Sequence, residues 1–238
     1  MFVSKCGYGP GDLGVIAWTL GGVFHELVFD GPYEGSAEIR CQTLYSRIET
    51  LYVTMGVSSR ITQLGVGKFN VKPPGFHCFA SKAAEARDLL PVMLAICREV
   101  DTGSLRDNHR IAALESLCAV YVIFKTADIR LTDIEAASAL RAYEEFLLHY
   151  NALLHLSIAR GERCYNFSFK FHHLWHIVDH AKWINPRVVW CYEFEDFIGV
   201  MTAAAKGCIF GSPMTIIGNK VLENYLLVLS LFMHGLSG

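Results

Sequence analysis

The chain has 238 residues, of which 52% are hydrophobic and 18% are charged. This composition is more apolar than that of a typical soluble domain, so we expect either an unusually large core or an apolar surface that a partner covers. Lys and Arg together number 21 against 23 acids. That balance excludes a chain-wide cationic field for binding nucleic acid, although it leaves a local basic face open.

The eight cysteines show no paired CxxC spacing. This excludes a recognisable zinc ribbon or disulfide framework and favours the reduced thiols of an intracellular protein. The apolar run Leu13–Phe24 is shorter than the ~20 residues that span a bilayer, and no small-residue cleavage site follows it. We therefore predict neither secretion nor membrane insertion.

The first element with helical spacing of apolar residues starts at Ser36 and ends at Gly56. The next stretch, Ser58–Ala80, contains Pro73-Pro74-Gly75 and lacks a helical period, which predicts the longest loop of the chain. We place a domain boundary there. Residues 1–75 form an N-terminal helical segment with a Pro/Gly loop, and residues 76–238 form the main helical domain.

Apolar spacing predicts five further helices in the second part of the chain. They span Ser81–Val100, Asp107–Lys125, Thr132–Ala159, Phe169–Trp183 and Met214–His234. Pro91 should kink or interrupt the first of them, and Thr132 with Glu135 forms a capping box at the start of the third. Strand-like runs are few, so the predicted fold class is mainly α.

Three histidines recur at every fourth position in the predicted helix Phe169–Trp183. His172, His176 and His180 therefore share one helix edge. Two imidazoles one turn apart can chelate a divalent metal such as zinc when a carboxylate from elsewhere completes the site. The alternative interpretation is a polar edge on which each histidine hydrogen-bonds to a neighbour or to water.

Three acids follow within four positions, at Glu193, Glu195 and Asp196, among several aromatic residues. Carboxylates among aromatic rings lose hydration, which raises their pKa unless a cation or a metal compensates. The alternative is an amphipathic helix whose acids face water. The stretch Phe171–Gly199 is thus where we expect any chemistry of this chain.

Short motifs occur along the chain in a characteristic order. They are Asp12–Val15, 81–85 (SKAAE), 89–92 (LLPV), Phe146-Leu147 with Tyr150-Asn151, Phe171-His172 with Leu174 and His176, Asn185-Pro186-Arg187, and 190–199. Together they resemble the C-terminal half of CACTA-type (En/Spm-like) DNA transposases. Within that group the chain is most similar to transposon-derived proteins of protists and algae.

The resemblance implies that the chain is the C-terminal helical part of an RNase H-like transposase core. Such enzymes hold two Mg²⁺ ions with an Asp, Asp, Glu triad and activate a water or a DNA 3′-hydroxyl. By this resemblance Glu195 is the glutamate of the triad. His172 and His176 match histidines of the preceding helix, where they would orient a group or bind metal.

The chain also departs from the family pattern. The first catalytic aspartate is expected upstream of Met1, and Cys6 stands where the second is expected, with Gly9 in place of a histidine. A single glutamate cannot hold two metal ions. The resemblance therefore implies a catalytically incomplete protein.

Three functional hypotheses follow. The first is a transposase-derived protein, located in the nucleus, with a residual role in DNA binding or protein interaction. Its basic face would comprise Lys82, Arg87, Arg106, Arg110, Lys170, Lys182 and Arg187. The second is a cytoplasmic structural or adaptor subunit that binds a protein partner or forms a homo-oligomer. The third is a Mg- or Zn-dependent hydrolase that uses His172, His176 and the nearby acids.

Overall fold

The computed structural model describes residues 12–69 and 75–189, together with isolated positions between 213 and 226. The chain forms two compact units, Met1–Val189 and Trp190–Gly238. The boundary predicted after residue 75 stays a prediction. Of the predicted tail helix, the described positions 216, 218–220, 222, 223 and 226 are helical, and the other positions lie outside the described residues.

Within its described residues, the first unit is built from helices in the order α1 to α6, with three short 3₁₀-helices. The α-helices are α1 (Asp12–Phe29), α2 (Ala37–Thr54), α3 (Ala83–Glu99), α4 (Leu105–Thr126), α5 (Asp133–Ala159) and α6 (Phe169–Asp179). The 3₁₀-helices are Val66–Lys68, His180–Lys182 and Pro186–Val189. The residues that the structure describes contain no β-strand, which confirms the mainly α class.

Helix α1 is the central helix of this unit and packs against α2, α3 and α6. Between Gly14 and Val28 every residue is buried except Trp18 and His25, which are half-buried. A helix that is apolar on all sides is stable only when other elements surround it. Within the described part of the chain, no helix has both the length and the apolar character needed to span a membrane.

Side-chain caps start the helices largely where the sequence predicts. The Ser36 hydroxyl accepts a hydrogen bond from the Ile39 amide at 3.4 Å, and the Thr132 amide donates to the Glu135 carboxylate at 2.8 Å. Helix α3 is capped by Lys82 rather than by the predicted Ser81. It also runs without interruption through Pro91.

Aromatic side chains fix α6 against α5. The Tyr143 hydroxyl donates to the Phe171 carbonyl oxygen at 2.8 Å, and the Phe171 ring lies 4.7 Å from that of Tyr150 and 6.1 Å from that of Phe146. Ring pairs at these separations add stability beyond their buried area. This packing leaves the opposite side of α6 in solvent.

Asn185 fixes the chain that follows α6 to the end of α4. Its buried amide nitrogen donates to the carbonyl oxygens of Phe124 and Asp128, both at 2.9 Å, and its backbone amide donates to Ile129 at 2.8 Å. These carbonyls at and beyond the helix end have no helical amide to pair with. The Asn-Pro sequence therefore both ends the α6 region and caps α4.

A buried ion network joins α1 to α4. The Glu26 side chain is only 1% exposed and accepts from Arg106 Nε at 2.6 Å and from Arg110 Nη1 at 3.1 Å. Arg110 also pairs with Asp107, and Arg106 pairs with Glu162 at 2.9 Å. The prediction that Arg106 and Arg110 belong to a basic surface is wrong, because both guanidiniums face inward and neutralise acids.

Replacing Arg110 with alanine is expected to lower the free energy of unfolding by about 3–5 kcal/mol, because it leaves Glu26 buried with one fewer cation. Denaturant titration measures the change. The matched control is Arg98→Ala, which breaks an exposed pair with Glu115 and should cost no more than about 1 kcal/mol. Equal losses in the two variants would contradict the structural role given to this network.

Candidate functional site

The predicted metal-binding histidines lie on an exposed edge that continues from α6 into the next 3₁₀-helix. The Nε2 atoms of His172 and His176 are 3.1 Å apart. The Nδ1 atom of His180 lies 2.8 Å from the carbonyl oxygen of His176, so this ring donates to the end of the helix. The structure thus pairs the first two imidazoles and directs one nitrogen of the third to the backbone.

A metal site on this edge stays a prediction. Among the described residues, three possible metal ligands come close together elsewhere in the fold. That group does not include these histidines. The predicted catalytic Glu195 lies outside the described residues, as do Glu193 and Asp196.

Three predicted DNA-binding cations lie in or just after α6. The Lys170 ammonium is 5.8 Å from the centre of the Trp18 ring, and that of Lys182 is 5.7 Å from the centre of the Trp183 ring. Arg187 donates to the Lys125 carbonyl oxygen at 2.7 Å, at the end of α4. Each of these three cationic side chains is therefore held in place by a contact with a neighbouring residue.

The other two predicted cations lie at the start of α3. Lys82 is exposed at the N-cap, where its backbone amide donates to Glu85 at 3.0 Å. The guanidinium of Arg87 is 2.8 Å from the carboxylate of Asp88. The charge of Arg87 is thus balanced locally, so it contributes little to a cationic surface.

We call the exposed surface of α6 and the following residues the α6 edge. It comprises the exposed residues Phe169, His172, His176, His180, Lys182, Trp183 and Arg187, together with the half-buried Lys170. The Phe169 and Trp183 side chains are 69% and 68% exposed, which is unusual for large aromatic residues. Between residues 163 and 189 there are four Lys or Arg residues and a single acid, Asp179.

A second cluster lies inside the fold, where three separate segments meet. His25 is in α1, His77 is in the loop before α3, and Cys164 follows α5. The Cys164 sulfur is 3.4 Å from His25 Nδ1, and the two imidazoles stack with their centres 4.0 Å apart. One ligand atom from each residue lies within 4.8 Å of the others. We call this group the His25–His77–Cys164 cluster.

Two consecutive glycines in α1 make this convergence possible. A Cβ atom on Gly21 would lie 2.6 Å from the backbone nitrogen of Cys78. A Cβ atom on Gly22 would lie 2.6 Å from the Tyr165 ring and 2.9 Å from the Cys164 carbonyl oxygen. Glycine at both positions therefore lets the two other segments rest directly on the helix, one turn before His25.

Burial determines the charge of the three cluster side chains. Loss of hydration lowers the pKa of His25 to about 4, and the neighbouring His77 adds to the effect. Burial also lowers the pKa of His77, against the opposing effect of a hydrogen bond to the Phe69 carbonyl. It raises the pKa of the Cys164 thiol to about 12. At neutral pH both imidazoles are consequently uncharged and the thiol carries its proton.

No short motif predicts this cluster, because its members are far apart in the sequence. His25 and Cys164 are separated by 139 positions. The one sequence feature that points toward the cluster is the pair Gly21-Gly22, which lies in an apolar run and is followed by a histidine one turn later. That pair marks a close approach of other backbone segments, but it does not say which segments approach.

Gly21→Ala is expected to lower the free energy of unfolding by about 1–3 kcal/mol, because the new methyl group overlaps the backbone of His77 and Cys78. Thermal and denaturant unfolding measure it. Gly65→Ala serves as the control, since a Cβ atom there meets nothing within 4 Å. The close approach is refuted if the two variants are equally stable.

Stability should fall as the pH is lowered from 6.5 to about 4, in part through His25. Its folded pKa of about 4 lies below the ordinary value of 6.5, so the unfolded chain binds more protons in this window. His25→Gln removes this proton site and should flatten the decline measured by urea unfolding at several pH values. The exposed control His172→Gln should follow the wild type, and a His25→Gln curve parallel to the wild type would refute the assignment.

The function of the chain must be inferred from its own residues. No protein-family model, curated protein or solved structure matches it. Two arrangements in the described residues can carry a function, the α6 edge and the His25–His77–Cys164 cluster. They are chemically distinct, since one is an exposed cationic and aromatic surface and the other is a buried group of nitrogen and sulfur atoms.

Proposed function

We propose that this chain is a transposase-derived helical protein that contacts DNA through the α6 edge. The observation that carries the proposal is that two exposed aromatic rings, Phe169 and Trp183, lie in the same short chain segment as the exposed cations Lys182 and Arg187, with the Lys182 ammonium 5.7 Å from the centre of the Trp183 ring. The motif resemblance to CACTA-type transposases supports the same origin. In this proposal α1 to α6 are the helical part of an RNase H-like transposase core.

The chemistry of the α6 edge suits a phosphate backbone with accessible bases. Each Lys or Arg that neutralises a phosphate releases counterions, and this release drives binding at low salt. Exposed aromatic rings stack on unpaired bases without regard to sequence. A protein with an overall formal charge of −2 needs such a local concentration of cations to approach DNA.

The few acids along the α6 edge favour the same partner. Asp179 is the one acid between residues 163 and 189, and its carboxylate lies 3.7 Å from His180 Nδ1. The segment therefore carries little negative charge to repel a phosphate group. By contrast, the acids around Arg106 and Arg110 neutralise those cations inside the fold.

The proposed role is binding without DNA cleavage. Cys6 stands in place of a family aspartate, and Glu195 alone cannot hold a metal pair. We accordingly propose a nuclear location, which rests on the transposase resemblance. The adaptor-subunit and hydrolase hypotheses stay predictions.

The double variant Lys182→Ala/Arg187→Ala should bind fluorescently labelled DNA more weakly than the wild type at low salt. Fluorescence anisotropy over a salt series should also show the slope of log affinity against log salt reduced by about 2, because two phosphate contacts are lost. Duplex and single-stranded probes should be compared, since stacking by Trp183 and Phe169 favours the single strand.

The matched control is Arg47→Ala/Arg98→Ala, which removes the same charge from exposed ion pairs with Glu99 and Glu115. This control should leave the salt slope unchanged. No binding by the wild type at low salt would overturn the proposal. Equal slopes for the two double variants would show that the α6 edge is not the contact surface.

A further inference from the structure

We propose that His25, His77 and Cys164 form a zinc-binding site that joins α1, the loop before α3 and the segment after α5. The site is separate from the α6 edge and does not depend on DNA binding. It uses two imidazole nitrogens and one cysteine sulfur, each from a different part of the chain.

The separation of the donor atoms matches tetrahedral zinc. Zinc–sulfur bonds of about 2.3 Å and zinc–nitrogen bonds of about 2.0–2.1 Å place the two donor atoms about 3.5 Å apart at the tetrahedral angle. The Cys164 sulfur and His25 Nδ1 are 3.4 Å apart. The third donor, on His77, completes a set that spans no more than 4.8 Å. Bringing all three donors into the coordination sphere requires rotation of the imidazole side chains from this arrangement.

The donor set selects the kind of ion. A thiolate with two imidazoles suits a borderline or soft transition metal and disfavours the hard ions Mg²⁺ and Ca²⁺. Glu162 lies beside the cluster, with Oε2 3.7 Å from the Cys164 sulfur. Its carboxylate oxygens pair with Arg106 at 2.9 Å and Arg160 at 2.8 Å. Three protein ligands thus leave the fourth position of zinc to water.

Zinc binding involves no redox step and releases a single proton. The Cys164 S–H bond breaks, the proton goes to solvent and the sulfur lone pair forms the bond to zinc. His25 and His77 are already uncharged, so their lone pairs bind without losing a proton. Because a bound metal lies close to the plane of each imidazole, one ring must turn out of the present stack. A hydrogen bond of His77 to the Phe69 carbonyl orients this imidazole from outside the proposed coordination sphere.

Two residues near the cluster indicate why zinc would be retained. Because Gly21 and Gly22 have no side chains, the segments that contain His77 and Cys164 can lie directly against α1 before any metal binds. A site whose ligands are already close loses little conformational entropy on binding. Zinc would then stabilise the folded chain by linking segments that are far apart in the sequence.

The test uses the purified full chain loaded with Zn²⁺, or with Co²⁺ as a spectroscopic probe, followed by dialysis. Elemental analysis should find one zinc per chain. The cobalt form should show a sulfur-to-cobalt charge-transfer band in the near ultraviolet, which reports a thiolate ligand directly. Cys164→Ser should lose the band and the retained zinc, and His25→Gln and His77→Gln should each lose the retained zinc.

Two controls separate this site from other donors. Cys118→Ser removes a cysteine outside the cluster whose thiol pKa is likewise raised by burial, and it should keep both signals. His172→Gln/His176→Gln removes the surface pair and should also keep them. Absence of retained zinc and of the band in the wild type would overturn the proposal even if a cluster variant fails to fold. Loss of both signals in either control would overturn it as well.

Discussion

The burial of α1 on all sides is the constraint on which the remaining structure depends. A helix with apolar residues around its whole circumference must be covered by several neighbours, and here α2, α3 and α6 supply the cover. One charged residue, Glu26, is buried with it, and this carboxylate requires the two inward-facing arginines of α4. The position of α4 is thus set by an electrostatic need of α1 as well as by packing.

Helices α2 to α6 could be predicted from the sequence because their signals are local, whereas the apolar run that forms α1 was not predicted to be a helix. The caps at Ser36 and Thr132 act within one turn of their own helices, so the printed sequence contains the whole interaction. The end of α6 is different. The sequence predicts that this helix continues to Trp183, but it ends at Asp179. At its end the His180 ring hydrogen-bonds to the His176 carbonyl oxygen, and further along the chain the Asn185 side chain hydrogen-bonds to the end of α4. Those contacts involve α4, which the local pattern does not show.

Site residues were predictable only where their chemistry is concentrated in one segment. The α6 edge was visible because its histidines recur at helical spacing and its cations lie in the same segment. The inward orientation of Arg106 could not be predicted, because its partner Glu26 lies 80 positions away. The His25–His77–Cys164 cluster was hidden for the same reason. Single residues on three segments carry no spacing signal until the tertiary fold brings them together.

The position of α1 in the chain has a consequence for synthesis on the ribosome. Helix α1 is the first described helix to emerge, yet α6, which covers part of it, ends only at Asp179. An apolar helix whose packing partners lie later in the sequence stays exposed to solvent while most of the first unit is being translated. The side of α1 that carries Gly21 and Gly22 is covered only after the segments that contain Cys78 and Cys164 have been synthesised. Nascent chains of this protein should therefore be clients of hydrophobic-segment chaperones until translation has passed α6.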